Sequence, residues 1–166
     1  MAKNTIKIKK YSDVIEEYTA GAAILPGTLI ELYTDNKVRV HSTSGGDALP
    51  MFALEDELQG NGIDTAYASG DKVQCWIPNR GDVVLAILAD GQSVGEGDFL
   101  ESNGAGYLKA HTTEEVSSGE QVDEFKLYVH PLVGIALEEM DASADSSGQD
   151  VGGGLGVNKR IKVRIL

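Results

Sequence analysis

The sequence predicts an all-β protein, a small barrel or sandwich with at most one or two short helices, and three features carry that prediction. Short runs of β-branched, aromatic and aliphatic residues are broken every eight to twelve positions by Gly-Asp, Asp-Gly or Asn-Gly, the rhythm of antiparallel strands joined by tight turns. Apolar and polar residues alternate within several of these runs, as in strands with one face buried. The length of 166 residues supports one domain with its own core and is short for two.

Residues 71–108 hold the densest strand signals. Val73, Cys75 and Ile77 alternate with Lys72, Gln74 and Trp76, the pattern of a half-exposed strand, whereas 83–89 is apolar without alternation and reads as a strand buried on both faces. This pair is expected at the core.

Before that stretch, Ser12 followed by Glu16 and Glu17 carries the N-cap and first-turn acids of a short helix. Pro26-Gly27 marks a turn, 28–33 a strand, Asp35-Asn36 a tight turn and 38–41 the returning strand of a hairpin. A polar loop over 42–47 leads to a short apolar strand at 50–54. The acidic cluster Glu55-Asp56-Glu57 then reads as a solvated patch, followed by a surface loop punctuated by Gly60, Gly62 and Gly70.

Past residue 108, the run from His111 to Glu120 reads as an exposed loop and 125–137 as a strand interrupted by Pro131 and Gly134. Residues 141–157, rich in Asp, Ser and Gly, read as a flexible loop before a last strand. The expected division is a basic N-terminal arm over 1–20 and a single β-rich domain over 21–166.

Charge is distributed unevenly. Lys3, Lys7, Lys9 and Lys10 at one end and Lys159, Arg160, Lys162 and Arg164 at the other give the termini +8, while residues 11–158 hold 26 acids against six bases, a net of −20. The overall charge of −12 repels nucleic acid and anionic membrane surfaces, so neither is an expected partner. Both ends alternate as strands: Ile6 and Ile8 against Lys7 and Lys9, and Ile161, Val163 and Ile165 against Arg160, Lys162 and Arg164. Side by side they would oppose like charges. The C-terminal strand therefore reads as an edge strand guarded by its cations. The N-terminal segment reads as an arm that adds a strand to another molecule, with Lys3, Ile6, Lys7, Ile8, Lys9 and Lys10 as its contact residues.

Signals for chemistry are weak. Cys75 is the single cysteine, which excludes an intrachain disulfide and a cysteine-based metal site. Gly91-Gln92-Ser93-Val94-Gly95 matches a nucleophile elbow, but no helix follows the serine. Asp141, Ser143, Asp145 and Asp150 imitate a calcium loop without its glycine or closing glutamate. His41, His111 and His130 are scattered in sequence and read as locally hydrogen-bonded residues. The run from Gly152 to Gly156 precedes a strand rather than a helix, a poor phosphate cradle. No enzyme activity and no cofactor is expected. The N-terminus lacks an apolar signal-peptide core and no stretch reaches the roughly 20 apolar residues of a membrane span.

The order of turn and strand signatures resembles a known family. Pro26-Gly27-Thr28-Leu29-Ile30, a Ser-x-x-Gly-Gly-Asp loop ending at Asp47, Pro50-Met51-Phe52-Ala53-Leu54-Glu55 and the segment from Ile63 through Tyr67 to Gly70-Asp71 come first. Arg80-Gly81-Asp82, Val94-Gly95-Glu96-Gly97-Asp98 and Val133-Gly134-Ile135-Ala136-Leu137-Glu138 follow, with a closing strand over 160–166. Together, over roughly residues 22–166, they are similar to the head-decoration, or cement, proteins of tailed bacteriophages. The resemblance implies a β-tulip-like barrel that binds the outer surface of an assembled phage head as a homotrimer, with the N-terminal arm on the major capsid protein and no catalytic residues. It places the protein in the virion after synthesis in the host cytoplasm. The alternative from another class is a β-barrel module that binds a carbohydrate or other small ligand, stacking it on Trp76, Tyr67 and Tyr107.

Overall fold

The computed structural model describes residues 6–9, 14–112, 130–142 and 159–166. The strands in chain order are β1 (Lys7–Lys9), β2 (Ile15–Ala20), β3 (Ile30–Leu32), β4 (Lys37–Val40), β5 (Phe52–Ala53), β6 (Lys72–Trp76) and β7 (Val83–Leu88). After them come β8 (Ser93–Val94), β9 (Phe99–Ser102), β10 (Leu108–Ala110), β11 (Leu132–Ala136), β12 (Met140–Asp141) and β13 (Lys159–Ile165). Among the described residues the only helical turns are the 3-10 segments Thr34–Asn36 and Glu57–Gln59. The all-β expectation holds.

The strands form two rings. In the first, β7, β10, β9, β11 and β13 pair in that order, and β13 pairs back onto β7, so the sheet closes as a five-stranded barrel. Strand β1 lies antiparallel to the start of β7, at Val83 and Val84, while β10 takes the same edge of β7 further on, at Leu88. Val84, Ala86, Leu88, Leu100, Leu108, Val133, Ile161 and Val163 fill the interior. Every residue of β7 is buried, as its unbroken apolar run predicts.

The second sheet has the order β3-β4-β2-β6-β5. Backbone bonds from Ile30 N–H to Met51 O (2.9 Å) and from Ala53 N–H to Thr28 O (3.1 Å) carry it back round to its own start. Ala20, Ile30, Val38, Ala53, Val73 and Cys75 pack inside it. Alternate residues in these strands and next to them point the other way: Leu29, Phe52, Leu54 and Trp76 belong to the core of the first barrel. The two rings therefore share a wall. Each such side chain withdrawn from water contributes about 1.5–3 kcal/mol.

The Asp35-Asn36 hairpin forms as expected, both residues adopting positive φ (58° and 57°), the geometry that matches the twist of the flanking strands. Three readings are corrected. The helix expected after Ser12 is strand β2, because pairing along β6 from Ile15–Trp76 to Thr19–Lys72 outweighs two acids in sequence. Trp76, expected on an exposed face, is completely buried in the shared wall. The C-terminal strand is not an edge, since β13 has a partner on each side. The second half of the segment read as a strand at 125–137 is β11, and its first half, like most of the 141–157 loop, lies outside the described residues.

Candidate functional site

The sequence points first to the chain ends, and the structure brings both onto β7. Ile6 donates its N–H to Glu55 Oε2 (3.1 Å) and accepts from Leu85 N–H (2.8 Å). Its side chain is 0% exposed and packs in the core of the first barrel. Lys7 and Lys9 face Val84 and Val83 in register, with Ile8 between them. The sequence reading gave Ile6 to another molecule; the structure gives it to this chain. Strand pairing fixes the alternation so that Ile6 turns inward, where burial favours it. Lys3 and Lys10, the other residues of the expected arm, lie outside the described residues.

Beside this strand the C-terminal cations are also drawn in. Arg160 donates from Nη1 to Pro26 O (2.6 Å) and from Nη2 to Ile63 O and to Asp64 Oδ1 (3.3 Å). Burial pulls its pKa down from the usual guanidinium value, and the charges of Asp64 and Glu55 oppose that shift. Lys162 Nζ pairs with Glu138 Oε2 at 2.9 Å. Arg160 and Lys162 of β13 thus both meet acids of this chain. Glu55 itself is only 2% exposed, which corrects its reading as part of a solvated patch. Its neighbours differ: Asp56 caps the following 3-10 turn and Glu57 is exposed.

A second polar cluster was not foreseen. The three histidines, distant in sequence, gather around the loop at 41–47 and strand β9. His41 is buried, with Nδ1 2.7 Å from Ser102 Oγ and Nε2 3.1 Å from Asp47 O. A carbonyl can only accept, so Nε2 donates to it; in the neutral ring Nδ1 then accepts from the serine hydroxyl. His130 N–H donates to Asp47 Oδ1 (2.5 Å), and His111 Nδ1 lies 2.5 Å from Glu101 Oε2. Lys109 Nζ meets the other oxygen of Glu101 at 3.1 Å. The rings of His41 and His111 are thus hydrogen-bonded, and His130 is held through its backbone N–H. Ser102 and His41 form a nucleophile–base pair in outline, but both are buried beneath the loop, which leaves the hydroxyl no route to a substrate.

The weaker sequence signals resolve similarly. Ser93 sits in β8, paired with β12 rather than leading into a helix. Asp141 is in β12, and the remaining residues of the calcium-like pattern and of the Gly152–Gly156 run lie outside the described residues. No group of three metal-ligating side chains occurs among the described residues. Tyr67 is buried and donates its hydroxyl to Leu54 O (3.0 Å), and Tyr107 is half-buried. With Trp76 in the wall, the three aromatics expected to stack a ligand share no open face. A polar depression of about 450 Å³ is lined by Tyr67 alone of the three, together with Asp56, Gln59, Asn61, Thr65, Asp71 and Lys72.

No family model matches the chain, and no curated protein does. Among solved structures, the N-terminal base of the head fiber gp8.5 of bacteriophage phi29 matches it. The TM-score is 0.51 and the identity 12%, over 93% of this chain and 95% of that one. The two share a fold along nearly their whole lengths.

Several large apolar residues remain exposed, among them Leu58, Leu49, Leu32, Tyr33 and Phe99. Arg39 stacks over the Tyr33 ring at 4.5 Å and bonds Glu31 Oε1 through Nε at 2.7 Å. Burial raises the Glu31 carboxyl, but hydrogen bonds from Ser42 and Arg39 outweigh it and hold the pKa below the ordinary carboxylate value.

Proposed function

We propose that this chain is a structural protein of a tailed-phage head that binds the outer surface of the assembled shell and stabilises it. The observation that carries this reading is the match of fold, over nearly the full length of both chains, to the base of a phage head fiber. The turn and strand signatures shared with head-decoration proteins point the same way, as does a surface of net charge −12, which has no attraction for the packaged nucleic acid. The major capsid protein is the partner, and the chain binds as a homo-oligomer, a trimer by the resemblance.

The shell contact is the cationic N-terminal segment that carries Lys3, Lys7, Lys9 and Lys10. Ile6 fixes that segment to the body, so the arm is anchored at its middle instead of hanging free. A protein that binds the assembled lattice and not its parts stabilises the lattice by mass action, about 2.7 kcal/mol per site at a hundredfold excess over Kd. Repeated over a shell, that is enough to delay rupture. Heads lacking the chain, heated with and without saturating protein while DNA release is followed, test the stabilising role. A higher release temperature is expected, and an unchanged one would remove that role from the account.

A further inference from the structure

We propose that the acid-flanked turn bearing Leu58 docks, on a second copy of this chain, against the outer face of β9, β11 and β13 around Phe99, Ile135 and Arg164. Leu58 is 83% exposed, the most exposed large hydrophobic residue among those described. It stands on a braced 3-10 turn. Asp56 accepts from Gln59 N–H through Oδ1 (3.3 Å), while Gly60 N–H bonds Glu57 O (3.1 Å) and Asn61 N–H bonds Asp56 O (3.0 Å). A side chain presented on a fixed turn loses little freedom on binding. Residues 55–71 carry five acids and no base, so the apolar knob is surrounded by negative charge.

The receiving face is its complement. Phe99, Ile135 and Arg164 are directly opposite one another across three strands. They point outward because their neighbours Leu100, Ala136 and Val163 point into the barrel. Phe99 is 47% exposed and Arg164 is exposed, with Leu132 and Lys109 half-buried beside them. An apolar patch rimmed by charge marks a contact site.

The charges are complementary at the contact itself: residues 55–71 carry a net of −5, and the receiving face carries the exposed Arg164. Two copies therefore meet head to tail, the acid-flanked turn of one against the face that carries Arg164 on the other. Such a contact uses different surfaces on each copy, and it repeats until it closes. It goes beyond the head-binding reading by naming the surfaces through which copies meet.

Sedimentation velocity on the free full-length protein, from micromolar to millimolar concentration and without heads, tests this apart from shell binding. Concentration-dependent association that weakens with salt is expected. Leu58→Ser and Phe99→Ser should each weaken it by about tenfold or more. Glu57→Arg and Arg164→Glu should each weaken it singly, and the two reversals combined should restore it. All four sites lie on the surface, and an unchanged thermal unfolding midpoint shows that each variant is folded. A monomer throughout, association indifferent to Leu58 and Phe99, or failure of the double reversal to restore binding would overturn the proposal.

Discussion

At Gly27 the two ends of the chain come within one side chain of each other. Its φ is +88°, and a Cβ there would stand 2.5 Å from Arg160 Nη1, 3.0 Å from Leu85 O and 3.3 Å from Ile6 Cδ1. Gly27→Ala should therefore cost about 2–4 kcal/mol in urea unfolding, from the strained backbone and the displaced guanidinium together. Cys75 supplies a pH test. Burial pushes its thiol up to about 12 in the folded protein. The unfolded chain loses that proton first, so this stability is complete below the ordinary thiol pKa and is lost as pH rises towards 12. Cys75→Val should flatten the alkaline fall in stability, measured by denaturant midpoints across that range, and an unchanged slope would assign the fall to other groups such as Tyr67. At this scale alternation was legible in the sequence and burial of charge was not. Ile6 and Ile8 announce a strand, but nothing distinguishes Glu55 from Asp56 and Glu57 until a distant amide is seen to need a carboxylate.

Strand β1 is the element on which the account turns. Ile6→Ala should destabilise the protein by about 2–5 kcal/mol, because it empties a fully buried site in the first barrel. An exposed arm would lose almost nothing, so thermal or urea unfolding separates the two descriptions. Strand β11 offers a parallel test of barrel closure. A Cβ on Gly134 would meet Val163 Cγ1 at 2.4 Å and Arg164 O at 2.6 Å, so Gly134→Ala should push β11 from β13. A loss of about 1–3 kcal/mol is expected. The sequence showed the elements whose pairing is local, the Asp35-Asn36 hairpin above all, since its turn residues set its register. It misassigned β2, whose register is set by β6 more than fifty residues away in the chain. It also misjudged β13 as an edge, because closure of a barrel is decided by every strand at once.

At the scale of the described molecule, two closed rings share one wall, with β1 laid along β7 of the first ring and β13 closing it. The fold class was legible from turn rhythm and apolar runs. The shared wall was not, because alternate residues of β5 and β6 serve different cores and both sets read simply as hydrophobic. The proposed shell binding depends on what the rings present outward. The direct measurement is co-sedimentation of the protein with purified mature heads lacking it, using the full-length chain and a Lys3→Glu/Lys10→Glu variant that keeps Ile6 and β1 intact. If the chain binds the shell through its N-terminal cations, the full-length protein pellets to a saturating ratio compatible with the symmetry of the shell and the variant binds much more weakly. Full-length protein left in the supernatant at saturating concentration would contradict the proposed binding.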